Sequence, residues 1–131
     1  MTCRPLGGFF CWGVMNTLLL DRTTWDLLPD ARGNMAVASG SYAICQNVAC
    51  TIRVFSGECY YDTAAGLPYR QHILAHTQAA PVFRMQAEQA AGAVAGVAAA
   101  RCVLTGISAN RQLSGYVLVS TTNGDVQHVG F

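Results

Sequence analysis

Not one lysine stands among the 131 residues of this chain, and its ionised side chains are only eight arginines and seven acids. A solvated monomer carries roughly 25–35% charged residues on its surface. Here charged residues make up 11% of the whole chain, against 52% apolar. So little charge covers the outside of a folded domain only where neighbouring molecules shield much of it. The expectation is a subunit that lives in an assembly, in a chain long enough for one domain with its own core and short for two. The arginines are scattered and the net charge is +1, so the electrostatic footprint of direct nucleic-acid binding is missing.

Six cysteines (Cys3, Cys11, Cys45, Cys50, Cys59 and Cys102) sit among apolar residues. In a domain large enough to need no stapling, they are expected to be free thiols acting as small hydrophobes. The first residues, MTCRPLGGFFCWGVMNTLLLD, put Arg4 before an apolar stretch as a secretory signal does. They lack a small-x-small cleavage site, and Asn16 breaks the run. No stretch reaches the ~18 apolar residues of a membrane span, so a soluble chain with no membrane partner is expected. Residues 1–15 read as an N-terminal extension and 16–131 as one domain. Phe9, Phe10 and Trp12 give the extension either a contact anchor or a cover for the domain's own apolar edge.

Short strands are expected at 17–20 (TLLL), 25–28 (WDLL) and 35–38 (MAVA), divided by turns at Asp21 to Thr24 and at Arg32-Gly33-Asn34. Ser39-Gly40-Ser41 offers N-cap oxygens to a helix. In that helix Ile44, Val48 and Ile52 recur at i, i+4, i+8 beside Ala49 and Phe55, and Gly57 suits its left-handed stop. A strand CYYD follows, then a helix from Pro68 to about 77 and another from Pro81 to about Gly96. Strands close the chain: ARCVLTGIS, YVLVST and VQHV, with turns at Ala109-Asn110-Arg111 and Asn123-Gly124-Asp125. The fold class is α+β: a small single domain with a mixed or antiparallel sheet, about three helices and a C-terminal β-hairpin.

The stretch GECYYDTAAGLPYR, residues 57–70, poses the functional question, because Glu58 and Asp62 could be a catalytic carboxylate pair. Glycoside hydrolysis needs its carboxyls about 5–9.5 Å apart. Two acids four residues apart on a strand stand about 13 Å apart, from a rise of ~3.3 Å per residue. The alternative is that both accept hydrogen bonds from backbone amides or arginines at the ends of the strand. His72 and His76 in HILAH, with Cys45 and Cys50, imitate a zinc set. Twenty-one residues separate the two pairs, where a small zinc module has about twelve, and no Glu follows the first histidine. No metal and no cofactor is expected, and phosphate-loop readings fail for want of any lysine. Gly92-Ala93-Val94-Ala95-Gly96 forms a small-xxx-small stretch on the last helix. Glycines there cost about 1 kcal/mol each against alanine, which close approach of another backbone would explain. A plain alanine-rich helix in the protein's own core is the other reading.

The run GNMAVASGSYAICQNVACTIRVFSGECYYDTAAGLPY resembles the baseplate wedge proteins of contractile-tailed phages, especially the Mu-like branch. Related subunits occur in R-type pyocins and type VI secretion baseplates, and the family has carried a lysozyme-like label. The resemblance spans roughly residues 16–121 and rests on Gly33, Gln46, Val48, Gly57, Glu58, Asp62, Gly66, Pro68 and Tyr69. It implies a non-enzymatic structural subunit of the virion, assembled in the host cytoplasm. Such a subunit packs in the inner baseplate against the helical core bundle of larger wedge proteins, and it offers strands on which the tail sheath begins to assemble. Independently, TTNGDVQHVGF is a lightly charged edge without proline that can take a neighbour's strand.

Where other branches carry Glu-Pro-Arg, this chain has Glu58-Cys59-Tyr60, with Arg53 or Arg70 as the nearest substitute charge. The residues expected to bind partners or fix the turn are Arg53, Glu58, Tyr60, Asp62, Gly66, Pro68, Tyr69, Gly92 and Gly96. The competing readings are a cell-wall hydrolase of the tail tip and a metal-binding adaptor built on Cys45, Cys50, His72 and His76.

Overall fold

The computed structural model describes residues 16–69, 79–110 and 112–130. It is an α+β domain in which two helices cover one face of a three-stranded antiparallel sheet, with a second, two-stranded sheet at the start. Helix α1 (Gly40–Arg53) buries Ala43, Ile44, Val48, Ala49 and Ile52, the stripe its 3.6-residue period dictates. Helix α2 (Ala79–Gly92) buries Phe83, Ala87 and Ala91 at i, i+4, i+8. The sheet has the order β3 (Val97–Ile107), β4 (Leu113–Thr121), β5 (Val126–Gly130). Its helix-facing side carries Cys102, Val117 and Val119, which join both helical stripes in one core. Strand alternation puts Arg101, Leu118 and His128, directly paired across the sheet, on the opposite side.

Residues 16–38 form a small meander rather than three full strands. Only β1 (Thr17–Leu18) and β2 (Val37–Ala38) pair as strands, and single bridges join Leu20 to Leu27 and Pro29 to Met35. Two aspartates take over the intervening backbone. Asp21 Oδ1 accepts the Thr23 and Thr24 amides at 2.6 and 3.3 Å, and Asp30 Oδ1 accepts those of Arg32 and Asn34 at 2.7 and 2.9 Å. These are side chain-closed turns, which compete with the ladder for the same donors.

Several sequence expectations need correction. Ser39 is the N-cap of α1 by position, but its side chain makes no capping bond. Helix α1 stops at Arg53, with Val54 extended, so Gly57 is not its terminator; Gly57 (φ +86°) belongs to the turn beyond. No strand forms over Cys59 to Asp62. Among the described residues that stretch has no partner strand, and the Asp62 amide turns back to the Cys59 carbonyl at 3.1 Å. Helix α2 ends at Gly92, so the small-residue stretch to Gly96 is a turn and not a helix face. The helix expected over about 68–77 falls mostly outside the described residues, as does the extension at 1–15.

Candidate functional site

The chain leaves α1 at Arg53 and makes a closed corner before Tyr69. Its two ends pair through a parallel bridge between Phe55 and Leu67, with Ser56 N–H to Leu67 O and Leu67 N–H to Val54 O both at 2.9 Å. Glu58 Oε2 accepts the Phe55 amide at 3.0 Å, while the Glu58 amide donates to the Phe55 carbonyl at 3.0 Å. Asp62 Oδ1 accepts the Ala64 amide at 3.2 Å. Both carboxylates thus hold backbone, and the ~13 Å spacing drawn from an extended strand lapses with the strand itself.

Gly66 is required here twice over. Its φ is +98°, and a Cβ would stand 2.7 Å from both the Phe55 carbonyl carbon and the Val54 oxygen. The corner is then tied to the core by Tyr69. Its hydroxyl donates to the Ile52 carbonyl at 2.5 Å, and its ring meets Phe55 edge-on at 4.8 Å and Phe83 of α2 at 6.0 Å. Burial pushes the Tyr69 phenol above its ordinary value. Pro68 is half-buried between Leu67 and Tyr69. What the corner shows to solvent is Tyr60 and Tyr61, 92% and 77% exposed and edge-to-face at 5.3 Å.

The remaining predicted residues lie elsewhere. Arg53 does not serve the corner's acids; its guanidinium carbon stacks 3.7 Å from the centroid of Trp25 in the meander. Gly96 (φ +89°) sits by the first turns of α1, where a Cβ would come within 2.8 Å of Ile44 Cδ1. Gly92 borders open space. The structure therefore joins Glu58, Tyr60, Asp62, Gly66, Pro68 and Tyr69 in one loop and leaves Gly92 and Gly96 apart from it.

A second feature has no counterpart in the sequence reading. A groove of about 490 Å³ runs between the Leu20–Trp25 turn, the Tyr42, Cys45 and Ala49 side of α1, and the β5 edge. Gln46 builds its floor: Nε2 donates to the Leu18 carbonyl at 2.6 Å and Oε1 accepts the Leu20 amide at 3.0 Å. Tyr42 OH donates to the Leu20 carbonyl at 3.2 Å, and Arg22 stacks over the Tyr42 ring at 5.0 Å. Trp25 holds a left-handed backbone (φ +59°), unusual for a bulky residue, under the Arg53 stack. The one sequence signal was a glutamine in a mostly apolar helix, a group that must find partners once buried.

Burial raises Cys45, Cys50 and Cys102 above the ordinary thiol value, with the Glu88 charge adding to the rise at Cys102. A thiol kept protonated is a weak nucleophile and a poor metal ligand. Among the described residues, no three of His, Cys, Asp and Glu cluster as a metal site would need. Cys45 and Cys50 lie on α1, while His72 and His76 fall outside the described residues. Among the described residues, no helix is long and apolar enough to cross a membrane. No protein-family model matches the chain, and no curated protein matches it in sequence.

Proposed function

We propose that this chain is a non-enzymatic structural subunit of the baseplate of a contractile phage-type tail, joining larger wedge proteins and helping sheath assembly begin. The observation that carries the reading is the corner, where two exposed tyrosines stand on a loop whose backbone is already closed by its own hydrogen bonds. Aromatic side chains on pre-ordered backbone lose little entropy on docking, and such residues dominate the energetics of protein contacts. Glu58 and Asp62 each commit an oxygen to a backbone amide within the loop, an anchoring role that favours a docking corner over an acid–base pair.

Leu27, Met35 and Val37 of the meander are 45%, 61% and 60% exposed, adding apolar surface that a partner would cover. The helical bundle of a larger wedge protein suits the corner, and an extended strand of the sheath protein suits the β5 edge. A Tyr60→Ala, Tyr61→Ala double variant should keep the wild-type circular dichroism. Its recovery in sheath-bearing particles should fall roughly tenfold or more. The reading is overturned if the purified chain cleaves peptidoglycan and Glu58→Gln abolishes that cleavage.

A further inference from the structure

We propose that Glu88 is an edge guard, whose carboxylate occupies the outward backbone of β3 and keeps a second copy of this chain from adding a strand there. The inference does not depend on the baseplate reading.

Among the described residues, the sheet order β3-β4-β5 leaves two outer edges, one on β3 and one on β5. An unpaired edge is a template for another chain, and β3 is the longer hazard, with 11 residues against five. Its sequence, VAAARCVLTGI, carries a single charge and no proline. In an antiparallel ladder successive residues turn their amides alternately toward and away from the partner strand. The Cys102 amide donates to Glu88 Oε1 of α2 at 2.9 Å. A helix lying along β3 on one face can reach such a donor only by passing round the open side of the strand.

Glu88 therefore takes the donor that an incoming strand would need near the middle of β3. Arg84 and Arg101 line the same hollow, adding charge where a flat edge would be needed. Among the described residues β5 has no comparable cover: its residues are exposed apart from half-buried Val129, and Val126 is 65% exposed. Among the described residues the guarded edge is therefore β3, and the β5 edge is left open to a strand.

Three variants separate reach from charge. Glu88→Ala removes both. Glu88→Asp keeps the charge but is one methylene too short to reach, and Glu88→Gln keeps the acceptor oxygen without the charge. Each is followed by sedimentation across a concentration series, with hydrogen exchange read separately over 97–107 and 126–130. Ala and Asp should associate at concentrations at least tenfold below any wild-type association, with new protection confined to 97–107, and Gln should behave as wild type. Should Ala prove unfolded, the Asp and Gln pair decides alone. The proposal fails if Asp sediments as wild type, if Gln associates as Asp does, or if the new protection falls on 126–130.

Discussion

In the body of the domain, Val48, Ile52, Val117 and Val119 are almost wholly buried; across residues 16–38 the only buried residue is Ala38. The two regions are held by different means. The body is an apolar core shared by α1, α2 and the sheet. The meander is fastened to α1 by polar and aromatic side chains: Gln46 and Tyr42 on its backbone carbonyls and amide, Arg53 on Trp25 and Arg22 on Tyr42. A chain with little charge can afford this arrangement because a few well-placed polar groups fix a layer that has no core of its own. The cost is apolar surface: Leu18, Leu27, Met35 and Val37 remain exposed there.

The largest loss is expected from the core. Ile52 is 2% exposed, contributes to the central cluster and carries the carbonyl that Tyr69 caps. Ile52→Ala should cost about 2–5 kcal/mol from lost burial and the cavity left behind. The loss should be global, with exchange rising together in α1, β4 and the meander. A melt in which the meander alone loosens would show that the regions are not ordered as argued.

A smaller and more selective effect is expected from Gln46→Leu, which keeps bulk but deletes both clasping bonds. It strands the Leu20 amide and the Leu18 carbonyl, a penalty of about 1–3 kcal/mol. Exchange at the Leu19, Leu20 and Ala36 amides should quicken roughly ten- to hundred-fold on that penalty, while β4 amides keep their protection. Equal quickening in β4 would mean that the meander and the body open as one unit.

How far the sequence could be read follows the same division. The α1 stripe of Ile44, Val48 and Ile52 was legible because burial on one helical face imposes a period. The β-propensity of CYYD misled, since a strand is stabilised by its partner and, among the described residues, none lies beside residues 59–62. Gly92 and Gly96 suggested close helix packing, yet Gly96 is needed for a left-handed turn and for room beside Ile44. The two acids of the corner stand in a visibly turn-rich stretch and take amides only three and two residues away, but the Phe55–Leu67 bridge that closes the corner is a contact across twelve residues. The clasp by Gln46 spans still more chain, from position 46 back to 18; the glutamine in an apolar helix hints that it needs partners, but nothing local says which.

The smallest effect should come from acid acting on the two aspartate-closed turns of the meander. Hydrogen bonds from the Thr23 and Thr24 amides hold the Asp21 carboxyl below its ordinary 3.8, and those from Asn34 and Arg32 do the same for Asp30. A carboxyl depressed by folding contributes stability that is complete above its unfolded value and is lost as pH falls through the lower, folded one. The turns should therefore hold from neutrality down to about pH 4 and loosen only below 3.8. Amide chemical shifts of Thr23, Thr24, Arg32 and Asn34 would report the change directly, with those of β4 as the internal reference. Asp21→Asn retains an acceptor oxygen, so it should keep the turn while flattening the Thr23 and Thr24 titration and leaving that of Arg32 and Asn34 in place. An inflection above pH 3.8 at these amides, or one shared with β4, would mean that the meander is governed by the core and not by its own polar closures.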